Sequence, residues 1–297
     1  MEPQNINTAI GFSADDKIGK HHPLLSHTIN IKLILYILYV GSFSGLAQPS
    51  SQIAELYFTL HTHSIPAYAP FVGRSQAGFS FRNDFCTPEL MYKSLEFHLA
   101  KDENAFHCIV SHDGHNHFGE IQIAAGYGRR FGQRLSISLM GIYLAQHAEH
   151  YRSQHSFTVD LSAHCQITPQ WGVAIQLFNP LRMRYGITGT EVIPMAFSLQ
   201  IHHSWDKKLL AFLQMKKTLP GGLDVGGGLY YQPISHLLLT GFCSIQQVGL
   251  GMFVPWRNLL IGIQTAWYYR ISFSNTATLH YLFDTHHSAA TNYGISR

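Results

Sequence analysis

The sequence predicts an all-β protein: one closed, antiparallel transmembrane β-barrel of about fourteen strands behind an N-terminal secretory signal peptide. Three observations predict it. Apolar and polar residues alternate with a period of two over most of the chain after residue 75, the pattern of strands with two unlike faces. The alternating segments run to about ten residues, the length a tilted strand needs to cross a hydrocarbon layer. Charged residues make up only 12% of the 297, about half the share in ordinary soluble domains. A water-facing surface is hard to cover with so few charges.

Taken in order, residues 1–47 are an extension and signal peptide. In the block 31–48, Lys32 precedes an apolar core of about a dozen residues, and Gly45 and Ala47 supply small residues at the −3 and −1 positions of a cleavage site before Gln48. A membrane anchor is the competing reading, but the run is shorter than the ~20 residues a spanning helix needs. Residues 48–75 form a periplasmic or plug-like lead-in, 76–284 the barrel and 285–297 a C-terminal tail.

Within the barrel the strands are expected at 76–85, 90–99, 105–111, 118–130, 135–147, 157–167, 171–179, 196–205, 209–218, 222–232, 236–243, 247–256, 259–269 and 275–284. Residues 157–167 carry the pattern most clearly. Phe157, Val159, Leu161, Ala163, Cys165 and Ile167 share one face; Thr158, Asp160, Ser162, His164 and Gln166 share the other. Alternate connections are very short ("KDEN", "GQR", "TPQ", "DKK", "QPIS", "WRN"), and the intervening ones are on the whole longer. That asymmetry belongs to outer-membrane barrels, with short periplasmic turns and longer outside loops. A β-sandwich seldom needs fourteen such strands, and a lipocalin-type barrel has eight. A soluble periplasmic β-protein is the minor alternative. Trp171, Trp205, Tyr230, Tyr231, Trp256, Trp267, Tyr268 and Tyr269 lie near strand ends, as interfacial aromatic girdles do.

The net charge of +3, with no basic stripe, argues against nucleic acid as a partner. There is no HExxH, GxSxG, P-loop or CxxC motif, so neither an enzyme nor a cofactor is expected. Ser162 and His164 share one strand face, but that face points inward. Gly226 and Gly228 alternate within a strand and make room in the lumen or ease curvature. Cys86, Cys108, Cys165 and Cys243 allow three disulfide pairings, or stand as isolated buried thiols.

The histidines, 20 in all, offer the remaining chemistry. In "SHDGHNH" (111–117), Asp113 and Gly114 read as hairpin-turn residues. His112, His115 and His117 occupy one outside loop; His147, His150 and His155 lie in and beside the next, so the six are candidate ligands for Zn²⁺ or Cu²⁺ at one rim. A composition biased toward histidine explains them as well.

Residues 77–284 resemble the PorV/PorQ-type barrels of the Bacteroidetes, relatives of the FadL long-chain fatty-acid transporters. The resemblance runs through "AGFSFRNDF" (77–85), "IAAGYGRRFGQRLSISLMGIYL" (123–144), "FTVDLSAHCQITPQWGVAIQLFNP" (157–180), "LDVGGGLYYQPISHLLLTGFCS" (223–244) and "TATLHYLFD" (276–284). It implies a fourteen-stranded barrel in a Gram-negative outer membrane, facing outer-membrane lipid. It also implies passage of hydrophobic ligands, or an accessory role beside components of a type IX secretion system. Family members tend to end on an aromatic recognised by the barrel assembly machinery, a role that falls here to Phe283. The family's Gly-rich, plug-feeding lead-in is not matched by residues 48–75. The alternative is a structural or adhesive surface barrel that binds a partner through its outside loops.

Overall fold

The structure is a computed structural model and describes residues 52–283, apart from 88, 116, 151, 187–190, 206 and 270–271. The expected signal peptide (1–47) and tail (285–297) lie outside the described residues. A ten-residue helix α1 (Gln52–His61) and a 3₁₀ helix η1 (Pro66–Phe71) come first. Seven strands follow: β1 (Gln76–Asp84), β2 (Met91–Lys101), β3 (Asn104–Gly114), β4 (Phe118–Phe131), β5 (Leu135–Ala148), β6 (Gln154–Gln166) and β7 (Trp171–Phe178). Two short strands, β8 (Arg184–Tyr185) and β9 (Glu191–Val192), pair only with each other. The remainder are β10 (Met195–Ser204), β11 (Leu209–Leu219), β12 (Leu223–Ile234), β13 (Leu237–Ser244), β14 (Gln247–Trp256), β15 (Leu259–Tyr268) and β16 (Phe273–Leu282).

Strands β1–β7 and β10–β16 form one closed antiparallel barrel, sealed by β1 against β16 from Gln76↔Leu282 to Asp84↔Ser274. Each of the fourteen expected segments coincides with one wall strand, with ends differing by at most three residues. The largest differences are at β3 and β6, which run into their loops because the ladder there still pairs backbone groups. Asp113 is one such case. It pairs with Glu120 inside the sheet, so the chain leaves the ladder only after Gly114, which supplies a positive φ (103°).

The outer face is apolar: on β5, Ile137, Leu139 and Tyr143 are exposed, while Ser136 and Ser138 on the other face are buried. Closure satisfies the backbone along the wall, and an apolar belt then suits lipid. Trp171, Trp205, Tyr231, Trp256, Trp267 and Tyr269 point outward. Tyr230 and Tyr268 point inward, since neighbours in a strand cannot share a face. Cys108 and Cys243 are also exposed and outward, and Cys86 lies exposed in the β1–β2 connection; all four thiols are free. The reading of buried cysteines therefore fails: the apolar face that carries Cys108 and Cys243 is the barrel's exterior, not a protein core.

Candidate functional site

The lumen is filled by the segment that precedes the first strand. Ile53, Tyr57 and Phe58 on α1, Ile65 beyond it, and Tyr68 on η1 are each at most 2% exposed. They cluster with inward residues of the wall, including Ala174, Leu210, Tyr230, Leu238, Phe253 and Leu260. Burying each large side chain contributes roughly 1.5–3 kcal/mol. The rings interlock: Phe58 stacks on Tyr68 at 4.8 Å, and Tyr57 meets Tyr230 edge-on at 5.3 Å. Residues 52–72 are a plug of aromatic composition, entering at the end of the short turns.

Hydrogen bonds fix the plug to the wall. Ala67 N–H donates to Ser162 Oγ (3.0 Å), and the Ser136 hydroxyl donates to the Ala67 carbonyl. Tyr68 O–H donates to Gln200 Oε1 (2.7 Å). Gln76 Nε2 donates to Thr62 Oγ1 (3.1 Å), holding the chain where the plug turns into β1. His164 faces inward as expected, with its ring against Phe71 (4.7 Å) and Tyr68 (4.9 Å). It stacks on His202 at 5.4 Å across Gly172, where a Cβ would lie 2.3 Å from the His202 ring. Ser162 and His164 thus serve as seats for the plug.

Between the plug and the long-loop end lies a cavity of about 500 Å³. Its floor includes Leu60, Tyr230 and Phe253; its walls include Arg82, Gln122, Gln264, Thr276 and Thr278. One acid organises its edge. Glu96 places Oε1 3.2 Å from His280 Nδ1 and Oε2 3.8 Å from His63 Nδ1 of the plug. Glu96 and His280 reach each other across β1 because Gly78 stands between them: a Cβ there would lie 2.5 Å from the carboxylate. His63 Nε2 also bonds the Tyr92 hydroxyl (3.2 Å), and Arg82 lies over the Tyr92 ring while pairing with Asp84 (2.9 Å). Burial lowers the pKa of His61 to about 4 and lowers that of His63, the latter opposed by the Glu96 charge. Burial raises Tyr57 and Tyr68 above the ordinary tyrosine range.

At the long-loop end, the connection between β7 and β10 folds back over the lumen. Tyr185 and Ile193 pack on Ile109, Ala124, Met140, Ile142 and Leu144 of β3–β5. Tyr185 donates to Glu120 Oε2 (2.5 Å). Asn179, fully buried at positive φ (51°), ties both ends of the loop: Nδ2 donates to the Ile193 carbonyl, and Oδ1 accepts from Thr158 Oγ1 and Met183 N–H, each at 2.8 Å.

The six rim histidines divide into smaller groups. His112 and His147 approach at 6.4 Å across Gly119, and His115 stands 5.6 Å from His117. His117 bonds Glu149; His150 stands 3.8 Å from the same carboxylate; His155 bonds the Tyr143 hydroxyl (2.7 Å). Among the described residues, no group of three or more His, Cys, Asp or Glu is gathered to hold a metal ion. Phe283 follows the last strand, 40% exposed, its N–H on the Ser75 carbonyl and its ring against Tyr281.

Solved structures similar to this chain include outer-membrane β-barrel channels. A CymD monoaromatic hydrocarbon channel superimposes with a TM-score of 0.59 at 9% identity, covering 74% of this chain and 92% of that one. The Pseudomonas putida toluene transporter TodX gives 0.56 at 9% identity, covering 75% and 92%. A TodX deltaS2S3 mutant gives 0.60 at 8%, covering 76% and 94%. No protein-family model and no curated protein sequence matches the chain. At such identities the shared property is the fold: the closed β-barrel of outer-membrane channels.

Proposed function

We propose that this chain is a plugged outer-membrane channel for small molecules that carry both an apolar part and a hydrogen-bonding group. One observation carries the reading: a cavity of about 500 Å³, with an apolar floor and a polar wall, sits directly on a lumenal plug inside a barrel of apolar exterior. The names of CymD and TodX describe passage of aromatic hydrocarbons, which supports hydrophobic cargo on the strength of fold. The cavity wall adds a polar requirement through Arg82, Gln122, Gln264 and Thr276. The apolar exterior and the short turns at one end support the outer membrane of a Gram-negative cell as its location. Phe283, outward at the end of the last strand, fits recognition by the barrel assembly machinery.

The secretion role has the PorV/PorQ resemblance alone behind it, and adhesion has the outside loops alone. The test is uptake into liposomes holding the purified barrel, with a labelled aromatic alcohol or acid against a labelled sugar. Selective uptake that rises when residues 52–72 are deleted is expected. No flux through either form, together with co-purification of other envelope proteins, replaces the channel by an accessory or adhesive role. A metal role for His112, His115, His117, His147, His150 and His155 requires their loops to close further, and zinc titration of the folded barrel tests it.

A further inference from the structure

The outer wall carries an open trough of about 650 Å³ across β7 and β10–β14. Its axis follows one row of paired residues: Trp171, His203, Ala211, Leu229, Gly241 and Leu250. A parallel row contributes Leu213, Gly227 and Cys243. The trough exists because Ala211, Gly227 and Gly241 stand where the neighbouring outward positions carry large side chains. Nothing from the described chain fills it. On a face that lies against hydrocarbon, water cannot fill it either, and an empty groove forfeits dispersion contacts.

Its dimensions and ends point to one occupant. The row crosses five strand-to-strand steps of about 4.8 Å, roughly 24 Å in all. Strands tilted by ~40° make that path climb about 15 Å, half of the ~30 Å hydrocarbon layer and so one leaflet. It begins at the short-turn end, where His203 lies between the indoles of Trp171 (4.2 Å) and Trp205 (4.5 Å). His203 Nδ1 is buried there without a hydrogen-bond partner. Exposed Lys207 and Lys208 lie just before β11 at the same end. Imidazole and ammonium groups beside indoles at the interface suit a phosphate. We propose that the trough binds one glycerophospholipid of the periplasmic leaflet, an acyl chain along Ala211 and Gly241 and the phosphate at His203, Lys207 and Lys208.

The inference rests on the outer-membrane reading but not on transport. The test extracts the full-length barrel in mild detergent and weighs it intact by native mass spectrometry, with the lipid identified by extraction. About one phospholipid per barrel is expected. Gly241→Leu should fill the trough harmlessly, since a Cβ at this position meets only Leu250 Cδ2 at 3.5 Å. It should reduce retention at least tenfold while the heat-dependent gel shift of a folded barrel is kept. Lys207→Glu with Lys208→Glu should reduce retention several-fold and leave flux through the lumen unchanged. Undiminished lipid in folded Gly241→Leu overturns the proposal, as does a co-purifying polypeptide or transported solute found in the trough instead. Because flux is measured separately, its loss would count against the channel and not against the lipid site.

Discussion

The two halves of the lumen obey the same strand period and carry opposite chemistry. Toward the short turns, inward residues such as Leu210, Leu238 and Leu260 are fully buried against the aromatic plug. Toward the long loops, Arg82, Gln122, Gln264 and Thr276 line an open cavity, and an apolar cluster returns under Tyr185 and Ile193. The inner face of a barrel is therefore not polar by rule. Apolar inward positions lie under protein, and polar ones either face the cavity or bond the plug, as Ser162 and Gln200 do.

The largest way to break this contrast is Phe58→Ala. A buried Phe cut to Ala costs about 3–5 kcal/mol, here charged to plug docking while the wall stays closed. Single-channel recording should change from rare openings to sustained conductance, and protease should cut within residues 52–72. Unchanged conductance would mean that the plug is held by its hydrogen bonds.

Glu96→Gln comes next. It removes the charge between His63 and His280, and losing such charge-assisted contacts costs about 1.5–3 kcal/mol. Faster hydrogen exchange at residues 60–65, without a change in wall strands, is the expected result. Asn179→Ala should act similarly at the other end of the lumen. It strips Ile193, Thr158 and Met183 of a shared partner, at about 1–3 kcal/mol, and should speed exchange across 179–194 alone.

Acid separates the halves by charge. His61 docks neutral with its pKa lowered to about 4, against 6.5 when released. The released plug therefore binds the proton more readily, so docking is fully stable above pH 6.5 and weakens as pH falls from 6.5 toward 4. Open probability at pH 5 should exceed that at pH 8 by on the order of tenfold, and His61→Phe should flatten the dependence. The smallest effect is Tyr185→Phe, which loses one hydrogen bond to Glu120 at about 1 kcal/mol, visible as modestly faster exchange in the loop.

The wall was legible in the sequence because strand alternation is local. Residues 157–167 betray both their faces without reference to any other segment. The glycine of β12 was legible in kind: Gly228 makes room, since a Cβ there would meet the Phe212 ring at 2.7 Å. The plug was harder to see. Its composition, "IAELYF" and "PAYAPF", is apolar and aromatic instead of Gly-rich, and it is too short to cross a membrane. That density of aromatics just before the first strand was the available signal. Glu96, His280 and Gly78 gave none, being 18 to 202 residues apart in sequence and adjacent only across the β1 seam. Rim histidines were placed on neighbouring loops, but a metal site depends on side-chain reach that loop parity does not specify.

By itself, the sequence determined the strand count, the face on which each strand residue lies and the end at which the turns are short. All three follow from a period of two and from segment length, which need no knowledge of partners. Only the tertiary structure decided what fills the lumen, which carboxylate meets which imidazole, and where the outer wall is hollow. Those depend on ring closure and register, which bring Gly78 between Glu96 and His280 and align Ala211 with Leu229 and Gly241. Such alignments depend on the register between strands and, for β1 and β16, on closure of the ring, which the alternation within one strand does not specify.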